Sequence, residues 1–167
     1  ASSTLLMVDK KPNYLLPKPF KQHSEAKSFI SSLDWSYPWS AGSQISHVLI
    51  FYYINSQIKN DLATENLIDQ ILGHVEDYQD KKLGVWYKGD VSSAIMINGA
   101  MKVLSIFHWT GKNLKNSDKI IDFALSQPFE QGGCSFLNRL YVIYISSKYC
   151  KSYKVNEIRD LARRSIS

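Results

Sequence analysis

Cysteine is nearly absent: the chain of 167 residues has two, too few for a disulfide framework. Cys134 and Cys150 stand at the two ends of one expected helix, about 24 Å apart along its axis. A disulfide needs Cα atoms within about 7 Å, so these two do not pair with each other. Long apolar runs are absent too, and nothing approaches the roughly 18–20 residues that a membrane-crossing helix requires. Residues 1–11 lack a basic stretch followed by an apolar one, so they do not read as a secretory signal. Together these absences favour a cytoplasmic location.

Several signatures of specific chemistry are also missing. The net charge is +5 and the pI about 9.1, with part of the excess near the ends, in Lys10, Lys11, Lys18 and Lys21 and in Arg159, Arg163 and Arg164. A basic surface attracts nucleic acid, anionic lipid or an acidic glycan. There is no dense Lys/Arg run and no ribonucleoprotein-type aromatic motif, which disfavours nucleic acid. Gly132-Gly133 lacks the strand and lysine of a phosphate-binding loop, and no nucleophile elbow supports a Ser/His/Asp triad. No motif asks for a cofactor. Cys134 and His47 are the best metal candidates, but two ligands fall short of three or four. His23, His74 and His108 lie at outer or late helix positions, so the expectation is no metal site.

What is present is helical patterning. A hydrophobic fraction of 44% with 21% charged residues can build a real core. Residues 1–21, with Pro12, Pro17 and Pro19 among lysines, read as an extended basic arm, and 22–167 as the folded domain. Amphipathic helices are expected at about 22–33, 61–79, 117–127 and 154–165. Between them fall segments apolar on nearly every side, at about 43–59, 91–109 and 135–149. A helix apolar all round is buried all round. Strands compete at 48–54, because Val, Ile, Phe and Tyr favour sheets, but the pattern runs past 12 residues without a turn. The buried helices begin near residues 43, 92 and 135, a period that indicates stacked two-helix repeats. The fold class is therefore all-α: about three outer/inner hairpins plus a terminal helix.

Three segments precede the buried helices: Trp35-Ser36-Tyr37-Pro38-Trp39-Ser40-Ala41-Gly42-Ser43, Gln79-Asp80-Lys81-Lys82-Leu83-Gly84-Val85-Trp86 and Gln131-Gly132-Gly133-Cys134. A Gln/Gly/Trp turn before an inner helix resembles the repeats of α/α-toroid proteins, a group of terpenoid cyclases, protein prenyltransferase β subunits and glycan hydrolases and lyases. The resemblance spans about residues 22–165. It implies alternating outer and inner helices, with ligands bound at one mouth. The Gln79–Gly84 spacing is one residue longer than the cyclase repeat expects. The acidic cluster that starts cyclisation is absent, and seven helices do not close a ring of ten to fourteen. Fold alone does not fix function.

Polar residues recur early in each buried helix: Ser43, Ser46 and His47; Asn98, Lys102 and Ser105; Asn138, Arg139 and Tyr141. Asn98, Lys102 and Ser105 share one helical face. A buried Lys or Arg is costly unless paired. Either these groups line a common mouth, with Trp39 and Trp86 on the preceding loops, or the amides satisfy loop carbonyls while Lys102 and Arg139 snorkel to solvent. As a site, Trp39, Ser43, His47, Trp86, Asn98, Lys102, Asn138 and Arg139 would bind ligand, and His47 and Tyr141 are the candidates for catalysis. Such a cationic and neutral set suits an acidic saccharide, bound or cleaved by neutralising its carboxylate. Asp34 and Asp90, the best placed carboxylates for glycoside hydrolysis, are explained as well by helix capping. The alternatives are a protein-interaction scaffold and an isoprenoid- or terpenoid-handling domain.

Overall fold

The computed structural model describes residues 14–20, 22–59, 62–128 and 133–166. Among the described residues every regular element is a helix: α1 (His23–Ser32), α2 (Pro38–Lys59), α3 (Leu62–Glu76), α4 (Ser93–Thr110), α5 (Ser117–Ser126), α6 (Gly133–Ser147) and α7 (Val155–Ile166). Residues 48–54 and 140–145 are helical, so the all-α expectation holds. The only extended pairing described is a single antiparallel bridge between Gln79 and Trp86. No described helix is long and apolar enough to cross a membrane.

The three apolar helices stand side by side, α2 against α4 and α4 against α6. The amphipathic helices cover one side of them: α3 packs on α2, α1 on α3, and α5 on α6. The core lies between these two sets. It is built from Ile30 of α1, Ile45, Leu49 and Tyr52 of α2, Ile68 and Ile71 of α3, Val103, Leu104 and Phe107 of α4, Ile120 of α5 and Val142 of α6.

α2 starts at Pro38, five residues before the expected Ser43. Proline is well suited to the first helical turn, where its missing N–H is no loss. Asp34 shapes the preceding turn by accepting from Ser36 N at 3.0 Å and from Ser36 Oγ. Gly42 therefore lies inside the helix, and its role is packing. A Cβ there would sit 2.9 Å from Lys102 Cβ, and one on Gly99 would sit 2.6 Å from Pro38 Cβ. These two glycines let the backbones of α2 and α4 approach closely at their N-terminal halves.

The Gln/Gly/Trp turn between α3 and α4 is a structural joint. Gln79 Nε2 donates to Gly84 O at 2.8 Å and to Lys115 O at 3.1 Å, while its Oε1 accepts from Asn116 Nδ2 at 3.1 Å. Asp80 Oδ1 accepts from the backbone N–H groups of Lys82 and Leu83. Gly84 sits at φ 76 with a would-be Cβ 2.8 Å from Ile120, so both backbone conformation and space demand glycine. Gln79 thus ties this loop to the start of α5.

The described part of the N-terminal arm is pinned to α2. Leu16 N donates to Asn55 Oδ1 and Asn55 Nδ2 donates to Leu16 O, at 2.8 and 2.9 Å. Phe20 N donates to Tyr52 Oη, and Tyr52 Oη donates to Phe20 O. At the other end, Asp122 accepts from Tyr153 and meets Lys154 Nζ at 2.7 Å, which fastens the connection into α7 onto α5.

Candidate functional site

α4 presents Asn98, Lys102, Ser105 and Trp109 at steps of four, three and four residues, which is one helical face. The core-forming residues Val103, Leu104 and Phe107 lie on other sides of the helix. α6 repeats the arrangement with Leu137, Tyr141 and Tyr144, and Lys148 continues the series just past its end. α2 contributes Trp39, Ser43, His47 and Phe51. Leu137 is 64% exposed, Tyr144 56%, Trp39 41%, and Phe51 and Trp109 38% each. For large apolar side chains these are high values, and they occur on all three otherwise buried helices. The inner helices therefore have one packed side and one open side.

Contacts across the open side link the helices. Lys102 Nζ of α4 lies 5.4 Å from the centre of the Trp39 ring of α2, a cation–π distance. Asn138 Nδ2 of α6 donates to Asn98 Oδ1 of α4 at 2.8 Å. That bond leaves Asn138 an acceptor and Asn98 its amide N–H groups. Farther along, Lys148 Nζ lies 4.4 Å from the Tyr144 ring and 3.5 Å from His108 Nδ1. Burial and the neighbouring Lys148 both lower the pKa of His108, so it is the uncharged partner of that cation. Burial, and then Tyr144, raises the pKa of Tyr141. That keeps it a phenol, a hydrogen-bond donor rather than a base.

Two expected mouth residues are placed elsewhere. Trp86 is 0% exposed and stacks at 6.0 Å on Phe107, so its ring is a core element. The bridge that holds Trp86 against Gln79 turns it inward. Its indole N–H meets no acceptor among the described residues, which costs about 1–3 kcal/mol. Arg139 is 6% exposed and turns towards α5. Its Nε donates to Ala124 O at 2.7 Å, Nη1 to Pro128 O at 2.9 Å and Nη2 to Leu125 O at 3.2 Å. The last carbonyls of a helix have no partner within it and carry partial negative charge, so Arg139 caps α5. Burial and then Arg164 lower its pKa. Arg139 also lines a pocket of about 250 Å³ between the starts of α4 and α6, with Ser93, Ile97, Ser135 and Phe136. Trp39, Asn98, Lys102 and Asn138 do not line it.

The remaining candidates are simpler. His47 is exposed on α2, and Ser43 is half-buried, its carbonyl accepting from Ser46 Oγ at 2.8 Å. The side chain of Cys134 lies outside the described residues, so the pairing of Cys134 with His47 as metal ligands does too. Asp34 serves its own turn, as described above. Asp90 is exposed on the loop before α4.

Comparison with protein-family models, curated proteins and solved structures gave no match. Any functional reading of the chain rests on its own geometry.

One compositional fact sharpens that geometry. None of the three inner helices contains an aspartate or glutamate; their ionisable side chains include His47, Lys59, Lys102, His108 and Arg139. Paired carboxylates for glycoside hydrolysis therefore cannot come from these helices. Sequence reasoning also missed Phe51, Trp109, Leu137, Tyr144 and Lys148. The signal was there: Trp109 follows Asn98, Lys102 and Ser105 at helical spacing, and Tyr144 and Lys148 follow Tyr141.

Proposed function

We propose that the open side of α2, α4 and α6 binds an acidic saccharide. The observation that carries this reading is the pairing of exposed aromatic rings with cations on helices free of carboxylates. A sugar ring offers an apolar C–H face, hydroxyl groups and, when acidic, a carboxylate. Trp39 supplies a ring for the first and Lys102 an ammonium for the last, 5.4 Å from that ring. Asn98 and Asn138, bonded to each other, keep spare donors and acceptors for hydroxyls. With no carboxylate on these three helices, a docking anion meets no repulsion from them.

The reading is one of binding. Tyr141 is held as a phenol, which suits a donor to a sugar oxygen. His47 has the exposure to reach a ligand, and a general base needs hydrogen-bond reach to the proton it takes.

A protein partner is the second reading. It is favoured by the size of the exposed apolar groups, Phe51, Trp109, Leu137 and Tyr144, since contiguous apolar patches mark interaction surfaces.

Calorimetric titration with a homo-oligomeric uronate and its neutral counterpart separates the two. An acidic-saccharide site binds the uronate and raises the melting temperature with it. Binding weakens with salt, and Trp39→Ala or Lys102→Ala each reduce affinity about tenfold, the value of one stacking or charged contact. Equal binding of the neutral sugar, or unchanged affinity in both variants, would sink the proposal.

A further inference from the structure

Away from the open side, the packing of α1 on α3 brings two imidazoles together. His23 is the first residue of α1 and His74 lies in the last turn of α3. Their Nε2 atoms are 2.7 Å apart and their ring centroids 4.7 Å apart. Each ring thus points the same nitrogen at the other. Two protonated Nε2 atoms would clash, so at least one ring presents a lone pair there. His74 Nδ1 faces Asp77 Oδ2 at 3.7 Å. A carboxylate on that side favours the proton on Nδ1, so that His74 Nε2 is the one that presents its lone pair in this contact, and an ion bound by both rings would take the place of the hydrogen bond between them. Metal-binding histidines are commonly oriented by a carboxylate in this way.

We propose that His23 and His74 form a two-nitrogen site for a divalent ion of tetragonal preference, Ni²⁺ or Cu²⁺. Metal–imidazole bonds are about 2.0–2.1 Å. Two nitrogens 2.7 Å apart then subtend about 80° at a shared ion, from those bond lengths. That angle is close to the cis angle of square-planar or octahedral coordination and far from tetrahedral, so Ni²⁺ and Cu²⁺ are preferred over Zn²⁺. Hard ions such as Ca²⁺ and Mg²⁺ prefer oxygen and are excluded by the donor set. The described residues hold no group of three or more metal-ligating side chains, so water completes the shell and the ion exchanges readily. Bound metal would clamp α1 to α3 by linking helices 51 residues apart in sequence. Asp77 acts here as a positioning residue, through His74.

The test is a titration of the metal-stripped full chain with NiSO₄, followed by calorimetry and by the melting temperature. Expected are saturable binding of one ion per chain and a rise in melting temperature. His23→Gln and His74→Gln should each weaken binding at least tenfold, and Asp77→Asn by severalfold with no change in stoichiometry. Circular dichroism checks that the variants fold; His23 is exposed, so its replacement leaves the core intact. His47→Gln should leave Ni²⁺ affinity unchanged. The proposal is overturned by an absence of saturable binding up to about 1 mM Ni²⁺, by unchanged affinity in the His23→Gln/His74→Gln double variant, or by loss of affinity in His47→Gln.

Discussion

The packed and open sides of the inner helices use the same kinds of side chain for opposite ends. Lys102 and Arg139 are both cations near the middle of apolar helices, and from sequence both are candidates either to bind ligand or to snorkel to solvent. On the open side Lys102 rests over an indole. On the packed side Arg139 gives three donors to the end of α5. The difference lies in what surrounds each charge. Arg139 has carbonyls in fixed positions around a planar fork, so its charge is used within the fold. Lys102 has a polarisable ring and no carboxylate partner among the described residues, so its charge stays available to a ligand.

That contrast breaks first if the packed side tolerates change. Gly99 has backbone and side-chain atoms of Pro38 within 3.1 Å of where a Cβ would go. Gly99→Leu should force α2 and α4 apart and lower the unfolding free energy by about 3 kcal/mol, read by urea denaturation. Full stability in that variant would show that the close seam between α2 and α4 is not real.

Arg139 gives the next largest effect. Arg139→Met preserves length and removes the donors, leaving the carbonyls of Ala124, Leu125 and Pro128 without that partner at a partly buried helix end. The expected loss is about 2–3 kcal/mol, with uronate affinity unchanged. A cation held in reserve for an anion would behave the other way: removing an uncompensated buried charge would stabilise the chain and abolish binding.

Asp122 ranks third. Burial raises its pKa, but the hydrogen bonds from Lys154 and Tyr153 and the charge of Lys154 outweigh that and hold it below the ordinary carboxylate value. With the folded pKa depressed, the stabilisation is present above the unfolded value of 3.8 and is lost as pH falls through the folded value. The carboxylate is partly exposed, so after solvent screening the contribution is about 0.5–1 kcal/mol. Asp122→Asn should remove that much at pH 7 and flatten the acid limb of stability against pH below about 4.

The helical alternation was legible because apolar patterning separates the two kinds of helix: a segment such as 48–54, apolar at every step, marks an inner helix, but the same pattern hides its open side, where Phe51 is 38% exposed. The ends of the helices were less so. Ala41-Gly42 reads as a loop only if glycine is taken as a breaker, whereas here it makes room for Lys102 Cβ. Trp86 reads as a surface ring because its neighbours are turn residues; the bridge to Gln79 that turns it inward joins positions whose pairing no local pattern encodes. Asn138 and Arg139 are adjacent in sequence but about 100° apart around a helix. One meets α4 and the other α5, and that choice depends on where the neighbouring helices stand. The pairing of His23 with His74 is hidden in the sequence for the same reason, since outer positions of two separate helices converge only once those helices are packed.

The open side should show the smallest cost in stability and the largest in binding. Lys102→Ala removes one exposed cation–π contact, worth about 0.5–1 kcal/mol at most, and no described hydrogen bond of its ammonium. The packed seam beside it depends on the Cβ of residue 102, which alanine keeps. Urea denaturation should therefore give a midpoint close to that of the parent chain, while uronate affinity falls. A midpoint shift as large as that of Arg139→Met would mean that Lys102 belongs to the scaffold after all. The two sides of the inner helices would then differ only in exposure, and the exposed rings would be left as a surface for a protein partner.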